Sequence, residues 1–179
     1  MVGSPYIAGE TVALHPVEEA DLPFLRDTIN DPEVRAYLGF RPPMNLAREE
    51  EYFESVVCGD DSQVQFVVRA DGDPVGTVGL HGVDSPDGSS EIGLFFDADH
   101  WGQGYGSEAA SLVVDFAFEE LRRHRVTARV IEGNERSANL FESLGFRREA
   151  TFREAEFRDG DYVDAYRYAV LADEWPGED

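Results

Sequence analysis

A glycine-rich segment near the middle of the chain combines residue types and spacing that suit phosphate binding. It reads Trp101-Gly102-Gln103-Gly104-Tyr105-Gly106-Ser107 and separates an apolar run that ends at Phe96 from a long amphipathic stretch. This order predicts a strand, a tight turn and the start of a helix. The first N–H groups of a helix lack intrahelical partners and carry partial positive charge, while glycine lets a ligand approach the backbone closely. We therefore predict a phosphate or pyrophosphate site at this turn.

Two common nucleotide-binding motifs fit this segment less well. A P-loop ends in Gly-Lys-Ser/Thr, and the chain contains no lysine, which excludes that motif. The dinucleotide fingerprint G-x-G-x-x-G/A is matched formally by Gly104, Gly106 and Ala109, and Glu132 is near the expected acidic position. Its context is unfavourable, because about ninety residues precede it and only one strand and a short helix follow before a hairpin. A dinucleotide-binding protein stays as a remote alternative.

Length and composition predict one globular domain over residues 1–179. Hydrophobic residues make up 42% of the chain and aromatic residues 12%, which is enough for a packed core. No apolar run approaches the roughly 18 residues of a membrane span, and the first residues lack the features of a signal peptide. The single cysteine, Cys58, cannot form an internal disulfide. We expect a cytoplasmic protein without a membrane partner.

The charge balance of the chain is strongly acidic. There are 37 acidic and 15 basic residues, the net charge is −22, and every basic residue is arginine. The acids are spread from Glu10 to Asp179, so a whole-surface cause fits better than a local patch. We interpret the composition as adaptation to high salt, in which dissolved ions screen carboxylate repulsion; an unusually acidic mesophilic protein is the alternative. The negative electrostatic field of such a chain repels phosphate groups and disfavours nucleic-acid binding. We also predict no metal site.

Hydrophobic periodicity and turn residues predict an alternation of strands and helices along the chain. Strands are expected at Thr11–His15, Val64–Arg69, Val75–Val83, Glu91–Phe96, Arg125–Glu132, Arg147–Phe157 and Tyr162–Leu171. Helices are expected through Leu22–Ile29, at Pro32–Leu38, from an Asn45 cap to Val57, at Gly106–Arg123 and at Asn134–Leu144. Arg122, Arg123 and His124 are expected in the last turn of the long helix, and the tail from Trp175 is expected to fray.

The central segment resembles motif A of the GNAT acetyltransferases, whose Q/R-x-x-G-x-G/A loop binds the pyrophosphate of acetyl-CoA. Glu91-Ile92-Gly93, followed by Trp101-Gly102-Gln103-Gly104-Tyr105-Gly106-Ser107-Glu108-Ala109, is similar to the branch typified by Rim-type ribosomal-protein N-terminal acetyltransferases. Trp101 stands where the general motif has Gln or Arg, as is usual for this branch. A second family signature follows as Asn134-x-x-Ser137-x-x-Leu140-x-x-x-Leu144-Gly145-Phe146. The resemblance covers essentially the whole chain.

The resemblance implies an α/β (α+β) GNAT fold with a mixed central sheet of about seven strands flanked by about four helices. In that fold, the strands that carry Glu91–Phe96 and Arg125–Glu132 run parallel and splay apart. The pantetheine arm of acetyl-CoA enters between them like an extra strand. The fold also allows a homodimer.

The same resemblance implies which residues bind the acetyl-CoA cosubstrate. Backbone N–H groups near Leu94, Phe95 and Phe96, where the family's strand usually bulges, would meet the developing oxyanion. Asn134 would hydrogen-bond the pantetheine arm. The pyrophosphate would rest on the backbone N–H groups of Gly102, Gln103, Gly104, Tyr105, Gly106 and Ser107.

Acetyl transfer to an amine also needs a base for the amine and a proton for the departing thiolate. We predict Glu91 as the base, because a partly buried carboxylate can have its pKa raised towards neutrality; the alternative is that Glu91 orders a neighbouring loop. Many relatives place a tyrosine at the position of Phe141, which has no proton to give. Ser137 is the nearest hydroxyl in the matching motif and is predicted as the acid, with helix capping as the alternative. His81 alternates within a neighbouring strand and can face the acceptor.

The acceptor is expected to be a primary amine that attacks acetyl-CoA directly in a ternary complex. An α-amino group loses its proton more easily than a lysine amine, which favours a protein or peptide N terminus. A small-molecule amine or polyamine is the alternative, and an acyl-CoA sensor without turnover is more remote. Aromatic residues expected to form acceptor walls are Tyr37, Phe40, Phe53, Phe152 and Tyr162.

Overall fold

An eight-stranded mixed sheet runs through the protein, as seen in a computed structural model that describes residues 3–39 and 42–176. The strands lie in the order β1-β2-β3-β4-β5-β6-β8-β7. All neighbours are antiparallel except β5 and β6, which are parallel. The strands are β1 (Ile7–Ala8), β2 (Ala13–Pro16), β3 (Gln63–Ala70), β4 (Asp73–His81), β5 (Ser89–Phe96), β6 (Arg125–Ile131), β7 (Arg147–Arg158) and β8 (Asp161–Leu171).

Five α-helices connect these strands within the described residues. They are α1 (Leu22–Asn30), α2 (Pro32–Arg35), α3 (Leu46–Tyr52), α4 (Tyr105–Glu119) and α5 (Glu135–Ser143). The last turn after α3, Phe53–Val57, widens into a π-helix. Asn45 caps α3 as predicted, because its side chain accepts a hydrogen bond from the Arg48 N–H at 3.0 Å. In the part of the chain that the structure describes, no helix is both long and apolar enough to cross a membrane.

Helix α4 packs on one face of the sheet and forms the main core with it. Its small residues let the helix approach the strands closely, and its buried side chains are Ala109, Ala110, Val113, Val114, Phe116 and Ala117. Buried residues of the sheet, among them Val78, Ile92 and Val126, belong to the same cluster. A smaller cluster on the other face joins Leu22 and Leu25 of α1 to Val67 of β3. The sheet therefore has a helical layer on each side.

The sheet opens in its centre between the two parallel strands. Pairing of β5 with β6 runs from Ser89↔Arg125 to Ile92↔Ala128 and does not continue to the ends of these strands. On its other side β5 stays paired with β4 as far as Gly76↔Phe96. On its other side β6 stays paired with β8 as far as Ile131↔Ala165, so the predicted splay is present as a separation of β5 from β6.

The remaining predicted elements are present with small differences. The extra strand β1 has two residues, which is too short to produce a periodic signal, and α2 is a single turn capped by Asp31. Helix α4 ends at Glu119, because the chain reaches φ 52° at Arg122; the prediction of Arg122, Arg123 and His124 in its last turn was therefore wrong.

The predicted fraying of the tail was also wrong at its first residue. Trp175 packs 6.2 Å from Phe118 between ring centroids, and its indole Nε1–H donates to Asp115 at 2.6 Å. Residues 177–179 lie outside the described residues. A partly buried aromatic ring with a satisfied N–H anchors this end of the chain to α4.

Buried His15 in β2 makes stability depend on pH. Burial lowers the pKa of His15 below its ordinary 6.5, and the positive charge of Arg69 lowers it further. The unfolded chain therefore binds this proton more readily than the folded one, and the stability gained from a neutral His15 is lost as pH falls below 6.5. We expect urea unfolding at pH 7.5 and 5.5 to show a smaller loss of stability in His15→Gln than in the parent. An equal loss in both proteins would contradict this assignment.

Candidate active site

The glycine-rich segment forms a tight turn that leads into α4. Gly102 and Gly104 have φ values of 78° and 85°, a region that suits glycine. Gly104 is the residue before the helix, and no side chain caps this end. A β-carbon added to Gly102 or Gly104 would meet no atom within 4 Å, so the backbone is open to a ligand. The first N–H groups of α4 are therefore available to an anion, and the phosphate site at this turn stays a prediction.

A cavity of about 700 Å³ connects this turn with the opposite side of the sheet. It begins against α1 and Tyr37, follows the gap between β5 and β6, and reaches α5 and the start of α4. The predicted site residues that line it are Glu91, Leu94, Phe95, Phe96, Gly102, Gly104, Tyr105, Gly106, Ser107, Asn134 and Ser137. Gln103 is exposed and is not among the lining residues.

Backbone N–H groups of β5 point into the gap at alternate residues. The Asp97 N–H donates to the Val75 carbonyl at 3.0 Å, so the alternation of an antiparallel ladder directs the Phe95 N–H towards β4. The N–H groups of Leu94 and Phe96 then face the gap. The Phe96 carbonyl also faces it and accepts a hydrogen bond from the Trp101 indole at 3.0 Å. Leu94 and Phe96 can therefore offer donors to a ligand, whereas the Phe95 N–H is directed into the ladder.

The strand bulge expected at this position is absent. Pairing of β4 with β5 is continuous from Gly76↔Phe96 to His81↔Glu91 without a shift of register. Since β5 and β6 separate after Ile92 and Ala128, the N–H groups of β5 reach the gap without an extra residue in this strand.

Asn134 and Ser137 form the start of α5 at the other wall of the gap. The Asn134 side-chain oxygen accepts from the Ser137 N–H at 3.2 Å, and its amide nitrogen donates to the Ser137 hydroxyl at 3.2 Å. This arrangement is an N-cap. The Ser137 oxygen accepts in this pair, which leaves its O–H to donate into the cavity. Phe141, one turn later, is buried with its ring 5.1 Å from that of Phe146.

Comparison with known proteins identifies this architecture. The sequence profile described as Acetyltransferase (GNAT) domain matches residues 11–147. The chain belongs to the GNAT acetyltransferase family. It is therefore an N-acetyltransferase, and acetyl-CoA is its acyl donor. The open turn, the uncapped end of α4 and the free N–H groups in the gap fit the phosphates and the extended arm of this donor.

The relatives of this acetyltransferase are named for different acceptors. Spermidine N(1)-acetyltransferase of Escherichia coli K12 is 25% identical over 171 residues, which cover 96% of this chain and 91% of that protein. YdaF of Bacillus subtilis, provisionally named a ribosomal N-acetyltransferase, is 33% identical over 140 residues, or 75% of this chain and 76% of YdaF. Spermidine N-acetyltransferase from Vibrio cholerae with CoA and spermine has a TM-score of 0.87 at 24% identity, covering 93% and 98% of the two chains. This last likeness shows the shared fold.

In the acetyltransferase site, Glu91 is held by a guanidinium group. Arg167 of β8 donates to the Glu91 carboxylate and, at 3.1 Å, to the Thr127 hydroxyl. The Glu91 side chain is 39% exposed and faces the cavity. The carboxylate is partly buried as predicted, its ion pair with Arg167 was not predicted, and the catalytic role of Glu91 stays a prediction. Sequence analysis missed Arg167, because 76 residues separate it from Glu91.

A second arginine lies beside the phosphate-binding turn. The Arg136 guanidinium stacks on the Trp101 indole, 3.6 Å from the ring centroid, and both residues line the cavity. Among the described residues, no carboxylate forms an ion pair with Arg136. Stacking uses the faces of the guanidinium and leaves its in-plane N–H donors directed away from the ring. Trp101 occupies the position at which the general motif has Gln or Arg. Its ring thus supports the guanidinium of Arg136, a cation that α5 supplies.

The acceptor side of the cavity carries paired charges and apolar side chains. Arg129 and Glu156 both line it and form an ion pair at 2.7 Å. Tyr37 lines this half as predicted, whereas Phe40 lies outside the described residues. Other predicted wall residues do not line it: Phe53 packs against the Leu22 cluster, and Phe152 and Tyr162 are 40% and 69% exposed.

Proposed function

We propose that this protein is a Rim-type acetyltransferase that acetylates the N-terminal α-amine of a peptide or protein. The observation that carries the proposal is the pairing of charges on the acceptor side, where the Arg129–Glu156 ion pair lines the cavity and Glu91, which also lines it, is paired with Arg167 behind it. A peptide N terminus presents an ammonium followed by carbonyl groups and can bond to both members of such a pair. A polyamine presents only donors, so it can bond to the carboxylates of these pairs and not to their guanidinium groups.

Residues of the gap take the roles expected for acetyl transfer. Leu94 and Phe96 provide N–H groups for the carbonyl oxygen of the acyl group, and Ser137 provides a hydroxyl for the departing sulfur. Glu91, fixed by Arg167, accepts a hydrogen bond from the acceptor ammonium and orients it. Asn134 fixes Ser137 and has a second amide N–H for the donor molecule. The acyl donor itself supplies the activated thioester.

A polyamine is the second candidate acceptor. It is favoured by the spermidine acetyltransferase of Escherichia coli, which matches this chain over nearly its whole length. Cavity carboxylates also include Glu49, whose side chain is 6% exposed. The net charge of −22 attracts any polycation, although this long-range effect is screened in high salt.

The acceptor is tested by direct competition in molar KCl, a condition chosen because we interpret the acidic composition as adaptation to high salt. CoA release is measured with short peptides that have a free N terminus, with the same peptides N-formylated, and with spermidine. We expect kcat/KM for free peptides to exceed that for spermidine at least about 10-fold, which corresponds to about 1.4 kcal/mol of transition-state stabilisation, and formylated peptides to be inert. Faster acetylation of spermidine would overturn the peptide proposal in favour of the polyamine.

A further inference from the structure

His81 is the last residue of β4 and shares a face of the sheet with Glu91. The two residues are directly opposite each other in the β4–β5 ladder, and both line the acceptor side of the cavity. The His81 ring leans along the sheet towards Gly93, as shown by the 3.6 Å that would separate a β-carbon placed on Gly93 from the His81 Nε2. The next residue, Leu94, directs its N–H into the gap between β5 and β6. The imidazole therefore lies beside the point at which an acceptor amine meets the acyl group.

The hydrogen bonds behind His81 select one tautomer of its ring. The Gln63 amide nitrogen donates to the Asp60 carboxylate at 2.8 Å, which directs the Gln63 oxygen towards the His81 Nδ1 at 2.7 Å. Hydrogen bonds from Ser62 and then Gln63 hold the pKa of Asp60 below its ordinary value, so this carboxylate is ionised and acts only as an acceptor. A carbonyl oxygen also only accepts. The proton of neutral His81 is therefore on Nδ1, and the lone pair is on Nε2.

We propose that His81, through Nε2, is the general base of this acetyltransferase. Nε2 takes one proton from the acceptor ammonium, and the freed nitrogen lone pair forms the N–C bond with the thioester carbonyl carbon. The C–S bond then breaks, a second proton passes from the acceptor nitrogen to the sulfur to give the thiol, and His81 releases its proton to solvent. Glu91, already bonded to Arg167, orients the amine in this scheme.

Charges from several elements act on this imidazole. Asp60 lies before β3, Glu91 lies opposite on β5 with Arg167 of β8 behind it, and Glu49 of α3 lines the same cavity. These groups are three carboxylates and one guanidinium, and Glu91 is the one directly opposite His81 in the β4–β5 ladder.

The test compares pH profiles of kcat/KM for the parent, His81→Gln and Glu91→Gln, using the amine that is turned over fastest. We expect His81→Gln to lower kcat/KM by about 100-fold and to remove the acidic limb of the profile, whereas Glu91→Gln keeps that limb. Exposed His124, which lies outside the cavity, serves as the matched control, and His124→Gln is expected to behave as the parent. In His81→Ala, added imidazole is expected to restore part of the rate.

Retention of the acidic limb in His81→Gln, or its loss in Glu91→Gln, would overturn the proposal. The inference rests on acetyl transfer and not on the class of acceptor. If spermidine proves to be the better acceptor, the peptide proposal fails but the comparison of the His81 and Glu91 variants stays valid. Failure of the proposed function can therefore be distinguished from failure of the His81 proposal. Binding of acetyl-CoA, measured by calorimetry, is expected to be equal in the parent and His81→Gln, since a base acts on the amine.

Discussion

Replacing Gly104 with valine is expected to weaken acetyl-CoA binding by about 10- to 100-fold. Gly104 has φ 85°, and a β-branched residue in this region is strained. The backbone must rotate to relieve the strain, which moves the N–H groups of Tyr105 and Gly106 away from the position that we predict for the phosphate oxygens. Calorimetric titration with acetyl-CoA in molar KCl measures this loss directly.

The matched control is Gly72→Val in the turn between β3 and β4. Gly72 has φ 91° and open space around its α-carbon, so the substitution introduces the same backbone strain away from the cavity. Gly72→Val should lower stability to a similar extent and leave acetyl-CoA affinity unchanged. Equal affinities in the two variants would mean that the turn before α4 does not bind the phosphates.

Removal of the Asp21 side chain is expected to lower the free energy of unfolding by about 3–5 kcal/mol. Asp21 and Arg69 form an ion pair in which the side chains are 3% and 12% exposed. Asp21→Ala would leave a guanidinium without its partner in a poorly hydrated position, and it would also remove the acceptor of the Glu18 N–H. Urea unfolding at constant KCl concentration measures the effect.

Two further variants separate burial from charge pairing as such. Glu149 pairs with Arg125 at the surface, where its side chain is 43% exposed, and Glu149→Ala is expected to lower the free energy of unfolding by no more than about 1 kcal/mol.

Arg69 has a buried Nε without a hydrogen-bond partner, so its polar group is incompletely satisfied. The double variant Asp21→Leu/Arg69→Met should therefore be more stable than Asp21→Ala. If Asp21→Ala lowers the free energy of unfolding as little as Glu149→Ala does, burial does not make the Asp21–Arg69 pair more important than a surface pair.

Local features of this fold could be predicted well from the sequence. The turn at Gly102 and Gly104 needs positive φ values that glycine supplies, and Asn45 and Pro32 mark helix starts through their own side chains. Strand bounds were correct to within a few residues, because apolar runs such as Val64–Arg69 are bounded by turn residues; in β3 the consecutive residues Phe66, Val67 and Val68 are all buried, since both faces of the sheet are covered. Family resemblance then added the parallel pairing of β5 and β6, which no local pattern specifies.

Features that depend on contacts across the sheet could not be predicted. The partner of Glu91 is Arg167, and the tautomer of His81 depends on Gln63 and Asp60, so each requires a strand register that a single sequence does not encode locally. The absence of a bulge in β5 also belongs here, because it depends on the register between β4 and β5. These long-range pairs fix the Glu91 carboxylate on Arg167 and leave the Nε2 of His81 to act as the base that we propose.

The divergence of β5 and β6 also affects how quickly individual backbone amides exchange their hydrogens with solvent. Gly93 and Phe95 direct their N–H groups into the ladder with β4, whereas Leu94 directs its own into the gap, where pairing with β6 has ended. Protection from exchange in the middle of the sheet should therefore alternate residue by residue along one strand. Occupation of the gap by a ligand that accepts from Leu94 would abolish this alternation, so deuterium uptake at a single amide reports when the gap is filled.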